Sequence, residues 1–191
     1  MDPAGIRFKV QGIQMDAGVG THMDSPAHLR GTGLSVDRLP LEQLVAPCRV
    51  LDVSDRALED YFLEPADLLA HETLSGRIPA ESVVLIRTGW DRFWDRPELY
   101  RNGLVFPSVS EAAAELLLKR GVVGLGIDTL SPDRGDSAYP VHRLFLGAGK
   151  YLLENVANLD RMPEAGADLW ALPLAIQGGT EAPLRLVGVL A

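Results

Sequence analysis

The 191-residue sequence predicts an α/β fold, and three observations lead to that class. Apolar residues make up 47% of the chain, which at this length is enough for one hydrophobic core of ordinary size. Residues 82–87 form a continuous apolar run rich in β-branched side chains, which is typical of a strand buried on both faces. A helical stretch at 110–120 leads directly into a second such run at 122–127. A helix followed by a buried strand indicates an α/β arrangement, and we expect residues 1–191 to form a single domain.

The first half of the chain contains four further elements. Residues 6–10 alternate between apolar and polar side chains, which predicts an opening strand with one buried face. A single helical turn is expected at 39–44, followed by a strand at 49–53. Pro65 stands where a helix would begin, and the apolar residues after it predict a short helix over 64–74.

The second half follows the same alternation. Ser110 is a suitable N-cap for the helix that runs to Arg120, and Gly121 is a suitable stop. Asp128 ends the strand at 122–127 and begins a loop rich in proline and glycine that extends to His142. Three later strands are expected, at 150–154, 168–172 and 184–190.

Composition and charge narrow the range of partners. The net charge of −8 and the lack of any basic run argue against binding to a nucleic-acid backbone. A single cysteine, Cys48, rules out a disulfide within the monomer, and its apolar neighbours predict a buried side chain. The longest apolar runs are far too short to cross a bilayer. We therefore expect a cytoplasmic protein that binds neither nucleic acid nor membrane.

Two of the four histidines lie with an aspartate in the short segment 20–28. In an extended chain, residues two apart share a face, so His22, Asp24 and His28 can offer two imidazoles and a carboxylate to one divalent ion. Gly20 permits a tight turn, and Pro26 stiffens the segment between the last two groups. Taken one at a time, the histidines could equally be surface or hydrogen-bonded residues, and the aspartate could cap a turn.

The segment 20–28, Gly-Thr-His-Met-Asp-Ser-Pro-Ala-His, resembles the signature of the cyclase family of metal-dependent hydrolases, H-x-G-T-H-x-D-x-P-x-H. Segments 126–133, 141–142 and 153–160 match the same family in the same order, so the resemblance extends from about residue 18 to the C-terminus. The family includes bacterial kynurenine formamidases and isatin hydrolases, and the last segments are more similar to the isatin hydrolases.

This resemblance implies both a fold and a site. The fold would be a central mixed β-sheet with flanking helices, of the swivelling β/β/α type, assembled as a homodimer or higher homo-oligomer. His22, Asp24, His142 and Glu154 would bind one divalent ion per subunit, zinc or manganese, and His28 would be the catalytic acid/base. The last two ligands could otherwise be an ordinary loop histidine and an exposed carboxylate, although their order and spacing fit the family.

One position departs from the signature. Gly18 stands where the signature begins with histidine, so one expected metal ligand is missing. Asp16, two residues earlier, could substitute for it or could be a solvated side chain. Only seventeen residues precede Gly18, and we expect the contacts with substrate to differ from the family pattern.

The expected chemistry is hydrolysis of a small cyclic or N-acyl amide, that is, a lactam or formamide. An ion held by two imidazoles and two carboxylates can leave one position open for water, and His28 can protonate the departing nitrogen. The same groups could close a ring instead of opening one. Gly18 keeps open a biosynthetic cyclase or dehydratase that works with a weakened or absent metal site. An inert binding protein is the third alternative.

Other residues near the matching segments have two interpretations each. Asp128 and Ser131 could orient ligands or water, or could stabilise the loop that follows the strand. Three aromatic side chains could line a pocket beside the metal or could belong to the core: Trp90, Phe93 and Trp94.

Overall fold

The strands of the computed structural model, which describes residues 8–29, 31 and 33–190, are arranged around a barrel. The strands are β1 His22–Asp24, β2 Val45–Asp52, β3 Phe62–Leu63, β4 Val83–Arg87, β5 Ser108–Val109, β6 Gly124–Ile127, β7 Tyr151–Glu154, β8 Ala167–Pro173 and β9 Glu181–Leu190. The helices are α1 Leu41–Leu44, α2 Pro65–Ser75, α3 Pro97–Arg101, α4 Glu111–Arg120 and α5 Pro140–Gly147. No helix in these ranges is both long and apolar enough to cross a membrane.

Seven strands close into the barrel in the order β1-β7-β6-β4-β2-β8-β9, and β9 pairs with β1 to complete it. Strands β2, β4, β6 and β7 are parallel to one another, whereas every pairing of β1, β8 or β9 is antiparallel. The predicted mixed sheet with flanking helices is therefore confirmed. Its closure into a barrel was not predicted. The short strands β3 and β5 form a separate parallel pair.

Both faces of the barrel are buried, which explains the continuous apolar runs in its strands. In β4, Val83 and Leu85 pack inside the barrel, while Val84 and Ile86 pack outside it against the helices. The outer core includes Leu117 of α4 and Phe145 of α5. Cys48 is buried in the inner core, as predicted.

The helix signals in the sequence are confirmed in detail. Ser110 Oγ accepts a hydrogen bond from the Ala113 amide at 3.1 Å and caps α4. Gly121 ends that helix in the left-handed conformation, at φ 80°. Pro65 is the first residue of α2.

Three expectations were wrong at particular residues. Residues 6 and 7 of the predicted opening strand lie outside the described ranges. The rest of it is not a strand, because Phe8 and Val10 are more than 80% exposed and pair with no neighbour in the described chain. The loop predicted to reach His142 ends earlier, since α5 begins at Pro140. The segment 20–28 is extended only as far as Asp24 and then forms a 3₁₀ turn, Pro26–His28.

Candidate metal centre

The pairing of β1 with β7 gathers three of the predicted ligands on one face. His22 lies directly opposite Glu154 in this antiparallel pair. Residues opposite one another share a face of the sheet, and so do residues two apart on one strand, which adds Asp24 to the group. That face is the outer side of the barrel, because Leu152 opposite Asp24 belongs to the outer core. Helix α5 packs beside β7 and brings His142 to the same place.

The two histidines and two carboxylates alternate around a ring. Nε2 of His22 lies 3.5 Å from Asp24 Oδ1 and 3.4 Å from Glu154 Oε2. Nε2 of His142 lies 3.5 Å from Asp24 Oδ2 and 3.4 Å from Glu154 Oε1. Among the described residues, one ligand atom each of His22, Asp24 and Glu154 lies within 4.8 Å of the other two, which is close enough for a divalent ion to be held between them.

Two carboxylate oxygens in this ring have no hydrogen-bond donor in the described part of the chain. They are Asp24 Oδ1 and Glu154 Oε1, and both are buried. A buried carboxylate oxygen without a partner is costly, and a bound cation removes that cost. The residues therefore fit a divalent ion on two counts, their spacing and their unmet need for positive charge.

The charges of the ring shift the pKa of His22, His142 and Glu154. Burial alone would lower the pKa of His22, but its hydrogen bond to Glu154 and the charge of Asp24 have a larger, opposite effect and raise that pKa to about 9. Burial likewise lowers the pKa of His142, and contacts with Asp133, Asp24 and Glu154 raise it to about 11. Burial raises the pKa of Glu154, and the two imidazoles outweigh that and lower it. The site thus favours positive charge at its centre.

Asp133 is a site residue that the sequence analysis missed. Its Oδ2 accepts a hydrogen bond from His142 Nδ1 at 2.8 Å, and its carboxylate also accepts from the backbone amides of Val141 and His142 at the start of α5. This bond turns Nε2 of His142 toward the ring. Asp133 is buried and is the last residue of the matching segment 126–133, and its place in that segment was the available signal.

His22 is oriented in a similar way by the backbone. Its Nδ1 lies 2.9 Å from the carbonyl oxygen of Gly20, which accepts the ring N–H. The remaining nitrogen, Nε2, faces the two carboxylates, and a bound metal ion would displace its proton and take its lone pair.

His28 lies at the solvent side of the ring. The 3₁₀ turn that follows β1 carries its side chain back over the site, where 36% of that side chain is exposed. Its ring centroid is 6.2 Å from that of His142, and one nitrogen lies within 4.8 Å of ligand atoms of Asp24 and His142. A histidine that touches both the site and the solvent can exchange protons between them.

Gly18 also lies at the site, although it offers no side chain. A Cβ atom built on it would be 3.4 Å from Nε2 of His22, so a larger residue at this position would reach the ring. Asp16 is exposed and belongs to no cluster of potential ligands found within the described ranges, which favours the solvated interpretation.

A cavity of about 300 Å³ opens next to Gly18 and Gly20. Of the three aromatic residues considered for a pocket, Trp94 lines this cavity, together with Tyr100 and Leu130. Trp90 does not: it is 4% exposed, and its indole N–H donates to the Tyr100 carbonyl oxygen at 2.8 Å within the core. Phe93 packs edge-on against Trp90 and is absent from the lining of this cavity.

Asp128 stabilises a loop and has no contact with the ring. Its carboxylate accepts hydrogen bonds from the backbone and hydroxyl of Thr88 and from the Gly89 amide. Burial raises the pKa of Asp128 to about 6, against the opposite effect of these bonds. Ser131 contributes to the site through Asp133, because its Oγ accepts a hydrogen bond from the Asp133 backbone amide at 3.2 Å.

Comparisons with known proteins agree with this geometry. Residues 2–134 match the family model described as putative cyclase. Kynurenine formamidase of Paracidovorax citrulli is 32% identical over 179 residues, which cover 93% of this chain and 78% of that protein. The structure of isatin hydrolase A from Labrenzia aggregata bound to benzyl benzoate is 36% identical, with a TM-score of 0.89, and the match covers 99% of this chain and 79% of that one.

A third relative is described as a potential metal-dependent hydrolase with cyclase activity. It is 28% identical with a TM-score of 0.70, and the match covers 91% of this chain and 79% of that one. Its description and the ligand clusters found here agree on a divalent metal. The chain is thus an enzyme that belongs to the cyclase family.

Proposed function

We propose that this enzyme hydrolyses a small cyclic or N-acyl amide, a lactam or a formamide, with one zinc or manganese ion per subunit. The observation that carries the proposal is the ring of two imidazoles and two carboxylates, with two buried carboxylate oxygens that need a cation. The relatives named isatin hydrolase and kynurenine formamidase act on amides of these two kinds, as their names indicate.

Four residues would hold the ion: His22, Asp24, His142 and Glu154. When bound, a divalent ion makes water acidic enough to act as a nucleophile near neutral pH and polarises a substrate carbonyl. The chain contributes the orientation of the ligands, through Asp133 on one imidazole and the Gly20 carbonyl on the other. His28 lies beside the ring and would give a proton to the departing nitrogen, then recover it from solvent.

The cavity beside Gly18 would take the ring system of the substrate, with Trp94 as an aromatic wall. We expect Trp94→Ala to raise KM for an aromatic lactam about tenfold and to change kcat less, because the indole contacts the substrate away from the bond that breaks. Steady-state kinetics on an aromatic and a non-aromatic amide would measure this. Equal effects on both substrates would argue against an aromatic-binding role.

Asp133 offers a test of the metal site without removal of a ligand. Asp133→Asn keeps the size of the side chain but removes the charge that orients His142, and we expect metal affinity to fall about 10- to 100-fold. Competition with a chromophoric chelator would measure the affinity. Asp160→Asn, a matched change at an exposed aspartate in the separate 3₁₀ turn Leu159–Arg161, should leave the affinity unchanged.

The direct test is the metal content and activity of the purified protein. Plasma mass spectrometry on protein prepared without added metal or chelator should find about one equivalent of zinc or manganese. The metal-free protein should be inactive on isatin-type lactams and aryl formamides and should recover on addition of either ion. No bound metal after reconstitution would overturn the proposal. Turnover by metal-free protein would favour the cyclase or dehydratase alternative, to which Gly18 gives weight.

Assembly as a homodimer is part of this proposal. Three large apolar side chains lie opposite one another on neighbouring strands and are about 40% exposed: Val45, Trp170 and Val187. Such an exposed row is suited to burial between two copies. Light scattering after size-exclusion chromatography should give twice the mass of the chain.

A cytoplasmic location is also proposed, since the single cysteine is buried and unpaired and the fold needs no oxidising compartment.

A further inference from the structure

The space beside Gly18 is already occupied by a carboxylate. A Cβ atom built on Gly18 would lie 2.8 Å from Oε1 of Glu181, as well as 3.4 Å from Nε2 of His22. A side chain at position 18 and the Glu181 carboxylate therefore compete for one place at the edge of the ring.

Strand pairing directs Glu181 toward the site. It is the first residue of β9 and lies directly opposite Asp24 of β1 in an antiparallel pair. Opposite residues share a face of the sheet, so Glu181 extends from the same outer face as Asp24. Its side chain is 26% exposed, and Oε1 lies 3.7 Å from Nδ1 of His28. Glu181 is thus on the same side as the ring. Its carboxylate lies outside both groups of ligand atoms that are within 4.8 Å of one another, so it would turn toward them to bind an ion.

A second observation is that the Asp24 carboxylate, opposite Glu181, is short of positive charge. Asp24 is 1% exposed, and its Oδ1 has no hydrogen-bond partner among the residues described. A third carboxylate near an unpartnered buried one would add repulsion unless positive charge lies between them.

We propose that Glu181 is an additional metal ligand that takes the place left open by Gly18. This inference rests on the metal site proposed above. The ligand set would then contain three carboxylates and two imidazoles. Carboxylates suit manganese better than imidazoles do, so the exchange shifts selectivity from Zn²⁺ toward Mn²⁺ relative to a site with histidine at position 18.

The test compares Mn²⁺ and Zn²⁺ affinities of four full-length proteins by isothermal titration: wild type, Glu181→Gln, Gly18→His and the double variant. Glu181→Gln should weaken Mn²⁺ binding at least about tenfold and Zn²⁺ binding less. Gly18→His alone should gain little, because the charged Glu181 carboxylate would still hold the coordination position, whereas the neutral glutamine would yield it. In the Glu181→Gln background the same histidine should strengthen Zn²⁺ binding, so the two changes will not be additive.

Glu42→Gln is the matched control, since Glu42 is exposed on α1 and should affect neither ion. Thermal unfolding of each metal-free variant would confirm that it folds, and glutamine at 181 preserves the size of the side chain. If the wild type binds metal and Glu181→Gln binds each ion as tightly as the wild type does, the inference about Glu181 is overturned and the metal site stands. If the wild type binds neither ion, the inference about Glu181 and the proposed metal site are both overturned.

Discussion

Replacing His142 with alanine is expected to remove bound metal and to reduce amide hydrolysis at least about 100-fold. His142 supplies one of the two imidazoles of the ring, and its loss leaves Asp133, Asp24 and Glu154 without the group that lies between them. The three remaining ligands, His22, Asp24 and Glu154, cannot fix the geometry of an open coordination position as well as the complete set does. Metal content by plasma mass spectrometry and kcat/KM on a lactam would be measured on the same preparation.

His71→Ala is the control for this experiment. His71 is also a buried histidine, but it lies on α2 beside Glu164 and lines a cavity that includes no ring residue. Its removal should lower the melting temperature and leave metal content and kcat/KM unchanged. A His142→Ala protein that retains a full equivalent of metal and near-normal activity would show that the ring is a hydrogen-bonded cluster and not a metal site.

Local sequence signals were sufficient to predict most of the helices and strands of the fold. The cap at Ser110, the stop at Gly121 and the unbroken apolar run of β4 depend on neighbouring residues alone, and each is where it was predicted. Barrel closure depends on the pairing of β9 with β1, which are separated by most of the chain. Helix α5 was missed because it is eight residues long and follows a loop rich in proline and glycine.

Some residues of the site could likewise be predicted from the sequence, and others could not. The family resemblance implied His22, Asp24, His142 and Glu154 as ligands, and the structure brings these four together. Asp133 and Glu181 contact the site through a helix start and a strand register, and no spacing in the sequence reveals either contact. Trp94 and Trp90 are close in sequence, yet one lines the cavity and the other is core.

Replacing His28 with alanine is expected to reduce kcat on amide substrates about 10²- to 10⁴-fold while metal content stays near one equivalent. Unlike the ring members, His28 is more than a third exposed, which suits a group that returns its proton to solvent. Imidazole added to the His28→Ala protein should restore part of the activity, because the vacated position is open to the medium. Kinetics with and without imidazole, together with metal analysis, would test this.

The leaving group separates proton transfer from metal binding as the role of His28. An amide nitrogen must be protonated as it departs, whereas the alkoxide of an activated ester leaves without that help. His28→Ala should therefore impair hydrolysis of an amide far more than that of a matched activated ester. His28 also lies within ligand distance of Asp24 and His142. Equal losses on amide and ester, accompanied by loss of metal, would mean that His28 binds the ion instead of serving as the acid.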